Sequence, residues 1–292
     1  MTTFTTTASI NQPSYPSDIK FLGIGLSDAP KVATLTAEDL FNQGLDKLKK
    51  GDLQGAIAAY TEAIRLNPNF AEAYTNRGVV RARLGDKKGA MEDYNQALRI
   101  NPNYAPAYCN RGILRADLGD KKGAIEDYNQ AVRINPNYTP AYSNRGSARA
   151  QLGDNKGAIE DYNQALRINP NLAPVYSNRG NARADLGDKK GAIEDYNQAL
   201  RINPNDAEAY SNRGIIRSEL GDKKGEIEDY NQALRINPNF APAYYNRGVV
   251  RTQLGDKKGA IADLQQAADI FKQQEKIEDY QKTLEIINQL QK

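Results

Sequence analysis

Apolar and small residues recur along this chain in two helical patterns that alternate. Residues 105–118 carry Tyr108, Gly112 and Leu118 at helical spacing, and Ala124-Ile125, Tyr128, Ala131-Val132 and Ile134 follow as an i, i+1, i+4, i+7, i+8 stripe. Each pattern predicts one amphipathic helix. Between them lies Leu118-Gly119-Asp120, where Gly can take a left-handed C-terminal turn and Asp can cap the next helix. After the second helix comes Asn135-Pro136-Asn137, and proline forbids continuation. Pro106, Pro140, Pro174 and Pro242 fall in the first turn of the first-type helix, where a missing N–H costs nothing.

Both punctuation marks repeat every 34 residues: Asn-Pro-Asn begins at 67, 101, 135, 169, 203 and 237, and Leu-Gly-Asp at 84, 118, 152, 186, 220 and 254. The repeats therefore run 37–70, 71–104, 105–138, 139–172, 173–206, 207–240 and 241–272, the last losing its Asn-Pro-Asn ending near Phe271. One such helix pair cannot bury its apolar faces alone, so neighbours must stack and the ends must be capped. Ile277, Tyr280, Leu284, Ile287 and Leu290 form one stripe and predict a capping helix within 273–292. The expected architecture is all-α, with fourteen repeat helices, one cap and no strand between 37 and 292.

The period and the series Tyr108, Gly112, Ala124, Tyr128, Ala131, Pro136 closely resemble the tetratricopeptide repeat (TPR). The resemblance covers residues 37–272. It implies a right-handed superhelical α-solenoid, with first helices lining a concave groove that holds an extended peptide or partner segment. One departure is plain. The seventh and eleventh positions, usually large and apolar in the family, are arginine in repeats two to seven, as in Arg111 and Arg115. Each second helix offers an acidic pair such as Glu126-Asp127, so the arginines are expected to ion-pair between helices with their stems over apolar surface. Solvated surface charge is the alternative.

Composition narrows the function further. The 292 residues contain no histidine and one cysteine, Cys109, which removes the usual general base, the commonest metal ligand and any intrachain disulfide. Every prominent Asp, Glu and Lys is repeated, whereas catalysis needs a unique constellation. No enzyme, cofactor or metal site is expected. The formal charge of +3 is too small to argue for nucleic acid. No apolar run approaches the roughly 18 residues that span a bilayer, and Met-Thr-Thr-Phe-Thr-Thr-Thr lacks the basic and apolar regions of a secretory signal, so no such signal and a cytoplasmic protein are expected.

Candidate ligand contacts lie where the first helix faces the implied groove. The sixth position is always asparagine: Asn42, Asn76, Asn110, Asn144, Asn178, Asn212 and Asn246. An amide both donates and accepts, so a ladder of them would hold a peptide backbone without reading its sequence. Asparagine is also common at this position in idealised repeats, which leaves a purely structural role open. The ninth position varies as Leu45, Val79, Ile113, Ser147, Asn181, Ile215 and Val249, placing apolar patches around a polar centre. The fifth position carries aromatics at both ends, Phe41 and Tyr245. It has no lysine, which disfavours the terminal-carboxylate ligand that some TPR domains clamp. These residues make a protein-interaction scaffold or adaptor, with assembly factors among the roles open to it.

The alternative is nucleic acid or an acidic surface held by the lysine pairs at 87–88, 121–122, 189–190, 223–224 and 257–258. Residues 1–36 match no repeat. They are expected to be either a disordered leader or a cap, with Phe21–Leu26 folded back onto Phe41, Leu45 and Leu48.

Overall fold

A computed structural model describes residues 35–292, and the expected fold-back of Phe21–Leu26 lies outside the described residues. Among the described residues there are fifteen α-helices and no strand. The chain divides into two compact parts, described here as residues 35–153 and 154–292.

The first part holds α1 (Ala37–Lys49), α2 (Leu53–Leu66), α3 (Ala71–Arg83), α4 (Lys87–Ile100), α5 (Ala105–Asp117), α6 (Lys121–Ile134) and α7 (Thr139–Gln151). The second holds α8 (Asn155–Ile168), α9 (Ala173–Asp185), α10 (Lys189–Ile202), α11 (Ala207–Glu219), α12 (Lys223–Ile236), α13 (Ala241–Gln253), α14 (Lys257–Gln273) and α15 (Ile277–Gln291). Odd and even helices alternate as the two halves of each repeat.

The turn chemistry acts as its residues dictate. Gly119 has φ +89°, the left-handed value that an L side chain adopts only with strain, and it follows the last turn of α5. Asp120 then caps α6 by accepting from the Gly123 N–H at 2.9 Å. The same cap recurs from Asp52 to Asp256 at 2.8–2.9 Å. Asn135 leaves α6 in an extended conformation, and its side chain accepts from the Asn137 N–H at 3.0 Å, an Asx turn that the following proline enforces.

Packing explains the small residues. The ring of Tyr128 is buried against Gly112, where an added Cβ would lie 2.6 Å from Tyr128 Cε1. Ala124 and Ala131, both fully buried, let α5 and α6 approach. That cluster continues into the next repeat through Ala141 and Ala148. Stacking between repeats therefore shares the core of each helix pair, as a solenoid requires.

The C-terminal end differs. α14 runs on to Gln273 without Asn-Pro-Asn, and Glu275 makes the reversal at φ +57°. α15 then packs Ile287 and Thr283 inward, with Tyr280, Leu284 and Leu290 partly covered against Tyr245, Leu264 and Phe271. It caps the array.

Candidate functional site

The first helices carry every candidate contact, and their register decides which are open. Asn76, Asn144, Asn178 and Asn212 are half-buried, Asn42 is exposed, and Asn110 and Asn246 are buried. Two of the half-buried amides are tied to the preceding repeat. Asn144 Nδ2 donates to Cys109 Sγ at 3.8 Å, and Asn212 Nδ2 donates to Asn181 Oδ1 at 3.3 Å. Tyr196 O–H donates to the same Asn181 oxygen at 2.6 Å. The polar ninth positions, Ser147 and Asn181, thus remain partly open, and Asn181 is held by hydrogen bonds from two helices.

The apolar ninth positions lie differently. Val79, Ile113 and Ile215 are 6%, 6% and 4% exposed and belong to the core, so they offer no open patch to a ligand. Leu45 packs partly buried beside Tyr60 and Val80, and Val249 beside the cluster under α15. Of the aromatic fifth positions, Tyr245 is buried under α15, while Phe41 is half-buried with its ring 4.9 Å from Phe70 and 5.7 Å from Tyr60. Sequence reasoning spread the apolar patches over surface because it could not see that the next helix covers them.

The arginines form ion pairs. Arg111 and Arg115 both engage Asp127, at 2.6 and 3.1 Å, and the Asp127 side chain is only 3% exposed. The same fork recurs at Asp93, Asp195, Asp229 and Asp263. The first arginine also reaches the repeat before it. Arg111 donates to Asn95 at 2.7 Å, Arg179 to Asn163, Arg213 to Asn197 and Arg247 to Asn231 at 2.6 Å. Each stacks on the tyrosine three residues earlier, as Arg111 does on Tyr108 at 5.5 Å. Both arginines of each fork join the two helices of a repeat, and the first also joins that repeat to the one before it. The link to asparagine was not read from the sequence.

The lysine edge is interleaved with acid. Lys189 pairs with Glu219 at 3.2 Å, and the exposed Asp117 and Asp185 stand at the equivalent positions of their repeats. Asp185 also accepts from Asn155 at 3.3 Å. Cys109 is a buried free thiol whose ionisation is pushed up to about 12, chiefly by burial, so it is no nucleophile. Among the described residues no group of three or more His, Cys, Asp or Glu side chains is placed to hold a metal, and no helix is long and apolar enough to cross a membrane.

Helix pairs of this length, stacked by shared cores, define a helical-repeat fold of the scaffold kind. Tetratricopeptide repeat models match residues 41–105, 105–138, 207–240 and 241–274, and a TPR repeat model matches 146–187, 180–221 and 226–255. The chain belongs to the tetratricopeptide repeat family. Among solved structures it is similar to MamA, at 25% identity over 56% of this chain and 96% of that one, with a TM-score of 0.54. A tetratricopeptide repeat protein from Parabacteroides merdae ATCC 43184 shares 23% identity over 85% and 98% of the two chains, at a TM-score of 0.64. YrrB, described as a TPR protein with an unusual peptide-binding site, shares 22% over 63% and 95%, at 0.54, a likeness of fold. A search of curated protein sequences finds no match.

Proposed function

We propose that this chain is a non-catalytic adaptor that holds an extended segment of a partner protein along its first helices, with the half-buried asparagines as the principal contacts. The observation that carries this reading is the recurrence of Asn76, Asn144, Asn178 and Asn212 at one register, each neither sealed in the core nor fully solvated. Amides in that position exchange hydrogen bonds with a peptide backbone at small cost in ordering, because packing already limits them. Ser147 in the first part and Asn181 in the second would add polar contacts to these. Assembly of a larger complex is a role within this reading, and so is a cytoplasmic location, which the single unpaired thiol suits.

Random linear peptides displayed on phage supply the probe, and enriched sequences are then titrated against purified variants. Asn144→Ala with Asn178→Ala is expected to weaken binding by about 1–3 kcal/mol, the usual consequence of leaving buried polar groups unpaired. Lys121→Ala with Lys122→Ala is expected to leave it unchanged. Binding that ignores the asparagines but collapses with the lysines, or falls steeply between low and moderate salt, would favour an acidic ligand instead. No enrichment at all would remove the peptide-binding reading.

A further inference from the structure

The twentieth position of each repeat lies at the closest approach of its two helices, and six repeats place alanine there. Ala56, Ala90, Ala124, Ala158, Ala192 and Ala260 are all fully buried. The sixth repeat places Glu226 at this point. Its side chain is only 4% exposed, so a carboxylate occupies space that its siblings fill with a methyl group.

The surroundings show a small network built to tolerate it. Lys223, in the first turn of α12, reaches Glu226 Oε2 at 3.2 Å and Ser218 Oγ of α11 at 3.1 Å. Ser218 and the buried Tyr230 hydroxyl lie beside the carboxylate. The other charges near this turn are committed elsewhere. Arg217 of α11 is engaged by Asp229 at 3.0 Å, Asp222 at 3.6 Å and the Gly225 carbonyl at 3.0 Å. On α13, Val250 packs with Tyr230, and Arg251 serves Asp263 at 2.7 Å and Asp256 at 3.7 Å. Among the described residues a single lysine, itself one-third exposed, is therefore the only cation directly on the carboxylate. The N-terminus of α12 favours a negative charge in its first turn, which offsets only part of the loss of hydration.

We propose that Glu226 makes the sixth repeat a built-in weak joint, at which α11 and α12 open before the helix pair of the preceding repeat. In a linear array each repeat's opening depends on its own pairing and its two neighbours, so one poor pairing localises the opening. The joint also responds to pH. Burial raises the carboxyl's affinity for its proton above its ordinary value, more than Ser218, Lys223 and Tyr230 lower it. A raised acid makes its stabilising contribution below its unfolded value and loses it as pH rises through the folded one, so the joint tightens on acidification and loosens toward neutrality.

Hydrogen exchange on the full chain tests this, comparing residues 207–236 with 173–202. At neutral pH the former are expected to exchange about tenfold faster in the wild type, the scale on which one poorly compensated buried charge moves a local opening equilibrium. Glu226→Ala, which restores the residue of the other six repeats, and Glu226→Gln, which mimics the protonated acid, are both expected to slow 207–236 toward the fifth repeat. The gap between wild type and Glu226→Ala should narrow as pH falls from neutrality and more of the carboxyl is protonated. Ala184→Ser with Ala192→Glu moves the network beside the resident Lys189 and is expected to transfer the fast exchange to 173–202. Equal exchange of the two repeats in the wild type overturns the proposal, as does a Glu226→Ala protein in which 207–236 is unchanged. Neither result bears on whether the asparagines hold a peptide.

Discussion

Arg111 grips Asp127 through two parallel hydrogen bonds, Nε to Oδ2 at 2.9 Å and Nη2 to Oδ1 at 2.6 Å, across the interface between α5 and α6. The geometry is the fork of guanidinium on carboxylate, and Arg115 completes the shell by donating to the Gly123 carbonyl at 3.1 Å while meeting Asp127 at 3.1 Å. Positions that most family members fill with large apolar groups are here filled by a charge cluster. The heads have partners in the facing helix α6 and in α4 of the preceding repeat, and the Arg111 head lies over the Tyr108 ring.

Removing one member of that cluster should cost more than removing all of it. Asp127→Ala leaves two partly buried guanidiniums without their carboxylate and is expected to cost about 3–5 kcal/mol, read from the urea midpoint by circular dichroism. Replacing Asp127 with alanine and both Arg111 and Arg115 with leucine should recover most of the loss, because apolar side chains can pack where the ions stood. A loss under about 1 kcal/mol for Asp127→Ala would place the pair with ordinary solvated surface charges.

Much of this was legible in the sequence, and particular residues show where legibility ends. The 34-residue step, the Gly119 turn, the Asp120 cap and the Pro136 break are each local chemistry, so the helices follow from residues a few positions apart. The acidic partner was narrowed only to Glu126-Asp127. The structure takes Asp127, which shares a face with the buried Ala124 and Ala131, while Glu126 points to solvent. Helical periodicity could have made that choice. No local rule gives the Arg111–Asn95 bond or the burial of Ile113, because both depend on how one repeat sits on the next. The half-open asparagines are legible as a column, but the tie from Asn212 to Asn181 is not.

Two glycines in one repeat should fail for different reasons. Gly112→Ala drives a methyl group to 2.6 Å from the Tyr128 ring, which is buried and cannot swing away, for an expected loss of about 1–3 kcal/mol. Gly119→Ala meets nothing within 4 Å but must hold φ near +89°, a strain of about 1–2 kcal/mol. Gly119→Asn should recover part of that loss, since asparagine tolerates the left-handed region, whereas any larger residue at 112 should be worse than alanine. Thermal unfolding of the four proteins separates the two causes, and equal losses for Gly112→Ala and Gly119→Asn would contradict the packing explanation.

Alkali should unfold the array through its tyrosines. Burial is the first cause that holds the Tyr104 hydroxyl protonated up to about 12, with Glu72 adding to it, and burial pushes Tyr60, Tyr128, Tyr196 and Tyr230 upward as well. An unfolded chain ionises its tyrosines near pH 10, so in the interval above that the unfolded state sheds protons that the folded state keeps. The stabilising contribution is therefore complete below pH 10 and is lost as pH rises through the folded values, with stability falling steadily across the window. Five such side chains act in the same direction, so the transition should be steep. Absorbance at the tyrosinate band and helical circular dichroism, followed together from pH 9 upward, are expected to show the buried tyrosines ionising with the loss of helix. Replacing Tyr104 and Tyr60 by phenylalanine removes two of the groups and should shift the transition to higher pH. Complete ionisation near pH 10 with the helical signal intact would mean that these hydroxyls are open to solvent, contrary to the packing of their rings.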